Sequence, residues 1–125
     1  VPEERRNSQA ERISTAIANA YKQHYGRGPT VILTRFAGPD VVTCVLEDSK
    51  SPAQAKLMQV GRDDLVHEAR SALQAAHQDE LCAIVAEITG RRIRTMVSGV
   101  NVADDVSVET FLLEPEDEAT ELPGT

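Results

Sequence analysis

Two glycine-marked turns hold most of the residues whose types could bind something. The first is Tyr25-Gly26-Arg27-Gly28-Pro29-Thr30. Glycine lets a backbone approach a ligand closely, and the planar guanidinium of Arg27 matches a carboxylate or phosphate with two parallel hydrogen bonds. The competing reading is structural: the glycines and proline stop a helix and turn the chain into a strand, with Arg27 on the helix's own last carbonyls. The second turn is Gly90-Arg91-Arg92-Ile93-Arg94. Its three arginines, with Arg27 or Arg35 brought near, would form a cationic pocket for a small anion. Alternatively they balance neighbouring carboxylates or the C-terminal dipole of the preceding helix. The candidate ligand- or partner-binding set is therefore Arg27, Gly28, Arg91, Arg92 and Arg94.

Other constellations carry less. His67 lies one helical turn from Asp63 and Asp64, with Glu68 beside it. Carboxylate and imidazole four positions apart can hold a divalent metal, but two or three ligands without a fourth also describe an ordinary exposed helix face. A Cys44–His nucleophilic pair is conceivable, yet Cys44 sits in an apolar alternating run and reads as packing. There is no P-loop, dinucleotide fingerprint, GxSxG or HExxH. The residues name no catalytic group, no cofactor and no resident metal.

The elements that must position these residues follow from periodicity. Ser8 and Glu11 have capping-box spacing, and Ile13, Ala16, Ile17, Ala20 and Tyr21 recur on one helical face. Residues 1–7 are charged and read as frayed. Thr30–Phe36 and Val41–Leu46 are strand-like around the turn Ala37-Gly38-Pro39-Asp40, which makes a hairpin. The second strand, nearly all apolar, reads as an inner one. Ser51-Pro52, with Gln54, opens a short helix. A long helix follows over Asp63–Thr89, roughly 40 Å at 1.5 Å per residue, unless it breaks near Ala76-His77; Gly90 caps it. Alternation at Ile93–Val97 and Val106–Leu113 gives a second hairpin. The order α-ββ-α-α-ββ predicts an α+β two-layer sandwich, an antiparallel four-stranded sheet from two β-hairpins with helices on one face. The domain spans 8–113, and 114–125 is an acidic, disordered tail.

Composition fits one globular domain: 125 residues, 41% hydrophobic, 26% charged. Two cysteines without a CxxC pair read as reduced thiols in a cytoplasmic protein. No apolar run approaches the ~20 residues of a membrane span. The net charge is −7, with aromatics at only 3%, a poor basis for nucleic-acid binding. The tail accounts for most of that charge. Its five acidic residues and no basic one, set aside, leave 13 basic against 15 acidic, a net of −2. The folded part is nearly neutral, so an anionic partner stays compatible with it.

The motif Tyr25-Gly26-Arg27-Gly28-Pro29-Thr30 after an amphipathic helix resembles the opening of the MpsC-like family, named for a sodium-translocating, membrane-potential-generating system. Val45-Leu46-Glu47, Gly61-Arg62, Arg70, Thr89-Gly90-Arg91 and Val108-Glu109-Thr110-Phe111-Leu112-Leu113-Glu114 agree with it in order and spacing. The resemblance covers roughly Arg12 to Glu114. It implies an accessory component of a system that supports membrane potential or inorganic-carbon supply, and it assigns no catalytic residue.

The expectation is a cytoplasmic, non-enzymatic regulatory domain, held peripherally at the inner membrane where a transporter subunit binds it. It acts through a protein partner or a small anionic ligand. A homodimer is expected from the surplus length of the helix over 63–89. The alternatives are a metal-dependent enzyme or binding module on Asp63, Asp64 and His67, and nucleic-acid binding through the arginines.

Overall fold

In a computed structural model that describes residues 3–116, the chain runs α1 (Glu3–Tyr25), β1 (Val31–Phe36), β2 (Val41–Glu47), α2 (Pro52–Gln59), α3 (Asp63–Ala76), α4 (Gln78–Thr89), β3 (Ile93–Asn101) and β4 (Val106–Leu113). The strands form one antiparallel sheet in the order β1-β2-β4-β3. Both expected hairpins are present, and the apolar β2 is an inner strand beside β4.

Alternation assigns the two faces of the sheet. Along β4, Ser107, Glu109, Phe111 and Leu113 are buried while Val106, Val108, Thr110 and Leu112 are half-buried. Register carries the buried set across to Val42, Cys44 and Leu46 of β2 and to Thr34 of β1. Ile13, Ile17 and Tyr21 of α1 and Leu81 and Val85 of α4 close over this face. The result is the expected two-layer α+β sandwich, its main apolar core between α1, α4 and the sheet. Ser51 realises its capping box: its Oγ accepts from the Gln54 N–H at 3.2 Å, and Gln54 Oε1 accepts from the Ser51 N–H at 3.1 Å. Gly90 ends α4 in the left-handed conformation, φ 70°.

Two helix boundaries bear on the sequence reading. The first helix starts at Glu3, so Ser8 lies inside it rather than capping it, and residues 3–7 of the stretch expected to fray are helical. Glu3 and Glu4 in its first turn suit the positive end of the helix dipole. The second is at the long helix, which takes the broken form of the two the sequence allowed, interrupted at His77 between α3 and α4. No proline or glycine marks the break. The His77 ring stacks on His24 of α1 at 3.8 Å and meets the Tyr25 ring edge-on. This anchors the junction to α1, where α4 packs, while α3 lies along β3. The surplus helix length that suggested a second subunit is therefore absent. Of the acidic tail, residues 117–125 lie outside the described residues.

Candidate functional site

The strand directions place the two arginine turns at opposite ends of the sheet. Arg27 precedes β1 at the end where Val31 pairs with Glu47. Its Nη1 and Nη2 donate to Asp48 Oδ1 and Oδ2, both at 3.1 Å, and Nη1 also donates to the Lys50 carbonyl. Thr30 donates its hydroxyl to the same carboxylate. Arg27 thus clamps the β2 exit instead of capping α1. The guanidinium and the Thr30 hydroxyl hold the Asp48 carboxyl down at about 2, and the carboxylate raises Arg27 in return. Gly28 passes close to α1, where an added Cβ would sit 3.5 Å from the Ala18 carbonyl oxygen.

Arg91 belongs to the other end, where Val41 pairs with Leu112. It donates to Asp40 Oδ1 at 2.5 Å, the Pro39 carbonyl at 2.6 Å and the Glu114 carbonyl at 2.7 Å. These bonds latch the β1–β2 turn to the chain leaving β4. Arg92 and Arg94 are exposed, and among the described residues neither side chain makes a hydrogen bond or ion pair. The register shifts between Ile93 and Thr95, so Arg94 has no cross-strand partner, the geometry by which a bulge re-aims a side chain. Arg91, Arg92 and Arg94 therefore share one end of the sheet, and Arg27 and Gly28 lie at the other.

The acidic residues of α3 do not converge with His67. Asp64 is engaged by Arg62 in two hydrogen bonds of 3.1 Å, and among the described residues no group of three metal-binding side chains assembles. Cys44 is fully buried, accepts a hydrogen bond from Thr34 at 3.3 Å, and burial pushes its thiol up to about 11. A thiol held protonated is a packing group, not a nucleophile.

A buried polar cluster, not anticipated from the sequence, lies between α1, α3 and the sheet. Arg70 of α3 is 1% exposed. It donates to Asp105 Oδ1 at 3.3 Å, Ser49 Oγ at 3.0 Å and Ser107 Oγ at 2.8 Å, and its guanidinium lies 5.6 Å from the centre of the Tyr25 ring. Glu109 of β4 has no exposed surface. Its Oε2 accepts from the Tyr21 hydroxyl at 2.5 Å and from Gln74 Nε2 at 3.3 Å, and its Oε1 accepts from Ser98. Burial raises the Glu109 carboxyl despite these donors and the nearby Arg70 charge. Burial and the Glu109 charge raise the Tyr21 phenol, and burial takes Tyr25 up to about 12. Ser98 is exposed, and with Gln74 it lines a cleft of about 440 Å³ between α3 and β3, alongside His67, Ser71, Gln78 and Met96. The only sequence signal was positional. Glu109 falls on the inward beat of β4, and Arg70 and Gln74 lie one and two turns beyond the buried Val66 on the same stripe of α3.

A family model described as "MpsC: Na+-translocating membrane potential-generating system (MpsC)" matches residues 5–115, nearly the whole chain. Comparison with curated proteins and with solved structures returned no match. No helix among the described residues is long and apolar enough to cross a membrane.

Proposed function

The chain belongs to the MpsC family, and from that premise we propose that it is a non-enzymatic, regulatory accessory domain of an ion-transport system. In this reading it works on the cytoplasmic side, as a homodimer, beside a partner that spans the membrane. The observation that carries the reading is the sheet face opposite the helices. It presents Val31, Leu33, Val41, Val45, Val97, Val106, Val108 and Leu112, interrupted by Thr43, Thr95, Thr110 and Asn101, and its charged positions are Arg35 and Glu47. Val31, Leu33 and Val97 are 47%, 46% and 60% exposed. A solvent-facing sheet surface this rich in aliphatic side chains supports an interaction site.

A second copy is the occupant that suits a sheet face with two opposite charges and mostly aliphatic side chains, sheet packing on sheet. Four strands about 4.8 Å apart and about four paired rows along them span roughly 20 by 25 Å. Side-chain relief brings two such faces close to the ~1,200 Å² at which specific interfaces begin. The exposed Arg92 and Arg94 then remain outside the dimer contact, to meet the membrane partner or a small anionic ligand. Arg27, Gly28 and Arg91 support that role by holding the turns at the two ends of the sheet.

Light scattering tests the dimer, and co-purification of membrane-spanning subunits from native membranes tests the partner. The wild-type chain should be dimeric at tens of micromolar, a range accessible to weak association. Leu33→Asp with Val97→Asp should give a folded monomer, and Arg92→Glu with Arg94→Glu should lose the membrane subunits while remaining dimeric. A monomeric wild type overturns the homodimer. Equal recovery of the subunits with the reversed arginines overturns the partner contact.

A further inference from the structure

A groove runs between the start of α1 and the free edge of the sheet. β1 is an outer strand, and α1 packs along it, with Ser14 Oγ donating to Thr34 Oγ1 at 2.7 Å. Near the α1 start the groove consists of two adjoining hollows, about 470 and 100 Å³, that share Arg6 and Phe36. Their walls carry Arg5, Arg6, Arg35 and Arg91 against two carboxylates, Glu3 and Glu116. Arg91 is already paired with Asp40. Arg35 donates from Nη1 to the Thr34 carbonyl at 2.9 Å. Among the described residues, Arg5, Arg6 and Arg35 make no ion pair. Three guanidinium groups gathered along one groove repel one another, and a neighbouring anion relieves that repulsion.

The chain itself brings an anion to this place. Arg91 holds the Glu114 carbonyl at 2.7 Å, and Glu116 borders the smaller hollow together with Arg5 and Arg6. The residues that follow include Asp117, Glu118 and Glu121, and 117–125 contain no basic residue. An extended chain covers about 3.3 Å per residue, so residues 117–121 reach roughly 17 Å beyond Glu116. Arg5 and Arg6 border the hollow where that path begins, and Arg6 and Arg35 border the next one. We propose that the acidic segment 117–121 docks in this groove of its own chain, with its carboxylates on Arg5, Arg6 and Arg35.

Two observations favour this occupant and this path. A segment tethered at the groove mouth has an effective concentration of roughly millimolar order, so contacts too weak to hold a free anion hold the tail. On the other side of Glu116, Arg92 borders a hollow that already contains the carboxylates of Glu114 and Glu116. A further carboxylate gains less there than among three unpaired arginines. Exposed charge pairs are individually weak and are screened by salt, so the docked fraction falls as ionic strength rises. While docked, the segment closes these three arginines to other anions. This inference stands on the groove and the tail alone and does not depend on the dimer or the membrane partner.

The experiment places a nitroxide spin label on Thr120→Cys in the full chain. Cys82→Ser removes the one native thiol that is not buried. At low salt the label should broaden the amide signals of Asn7, Ala10 and Phe36. It should spare Lys56 and Leu57 of α2, which follows the β2 exit at the other end of the sheet. About 0.5 M salt, where the Debye length is about 4 Å, should restore the broadened signals. Arg5→Glu with Arg6→Glu should restore them at low salt, while Arg5→Lys with Arg6→Lys should keep the broadening. In a mixture of spin-labelled chains with isotope-labelled chains that carry no spin label, the same signals should stay sharp. Undiminished groove signals at low salt overturn the proposal, as does broadening that survives charge reversal or high salt. Strongest broadening at Arg92 overturns the path, and broadening in the mixture assigns the groove to the tail of a second copy instead.

Discussion

Arg70 and Asp105 meet inside the domain, Nη1 to Oδ1 at 3.3 Å, although 35 positions separate them in the chain. Asp105 also accepts from the Lys50 N–H at 3.1 Å through Oδ2. The pair therefore ties α3 to the β3–β4 loop and to the exit of β2. Breaking a buried pair on one side leaves the other charge unpaired, which costs about 3–5 kcal/mol. Arg70→Ala is expected to lose that much in urea unfolding, a large share of the ~5–15 kcal/mol that holds a domain. Arg70→Met combined with Asp105→Asn should lose less than the separate changes sum to, because no charge is stranded. Asn also tolerates the left-handed backbone at position 105, φ 54°. Strict additivity in this double-mutant cycle would show that the pair is not coupled.

Glu109 gives the domain a pH signature of defined sign. Its carboxyl is raised in the folded state, chiefly by burial, so the folded protein holds a proton that the unfolded chain releases. Stability is then full below the ordinary carboxylate range and falls as pH rises through the folded value. Glu109→Gln removes this titration while keeping the shape of the side chain. Its stability profile between acid and neutral pH should be flatter than that of the wild type, with the difference growing as pH rises. Parallel profiles in denaturant midpoints across this range would remove Glu109 as the source.

The parts of the fold set by local pattern were legible in the sequence. The alternation of Val106–Leu113, the apolar Val41–Leu46, the capping box at Ser51 and the stop at Gly90 each follow from neighbours within a few residues, and each is present. The break at His77 was not distinguishable from a continuous helix, because its anchor is His24, more than fifty positions earlier. The buried cluster was hidden for the same reason. Arg70 on a helix and Glu109 on a strand look solvent-facing until their partners on other elements are known. The arginine turns were legible as turns. Their separation to opposite ends of the sheet depends on strand direction, which residue type does not encode.

The Arg27–Asp48 clamp predicts an acid-side effect opposite in sign to that of Glu109. Asp48 is depressed from 3.8 to about 2 by Arg27 and the Thr30 hydroxyl. The contribution of the clamp is present above the ordinary value and is lost as pH falls between these two values. Asp48→Asn should erase this acid-side step in thermal unfolding. In Arg27→Ala the Asp48 carboxyl signal should titrate closer to 3.8, with little change in stability at neutral pH because the pair is solvent-exposed. An unmoved Asp48 midpoint in Arg27→Ala would mean that the guanidinium does not hold the carboxylate in solution.

Gly90 tests whether the turn before the exposed arginines depends on backbone conformation alone. Its φ is 70°, and a Cβ built there meets nothing within 4 Å. The left-handed conformation costs a side-chain-bearing residue roughly 1 kcal/mol, with no steric clash to add. Gly90→Ala should therefore lose about 1 kcal/mol. Gly90→Asn should lose less, since Asn visits this region more readily. Both should keep the Gly90 N–H bond to the Ala86 carbonyl, now 2.8 Å, and with it the placement of Arg91 against Asp40. Hydrogen exchange at residue 90 and the Arg91 side-chain signals would report this. A loss well beyond 1 kcal/mol, or release of Arg91, would mean that the substitution disturbs the end of α4 itself, so that the latch on the β1–β2 turn depends on more than the dihedral angle of one residue.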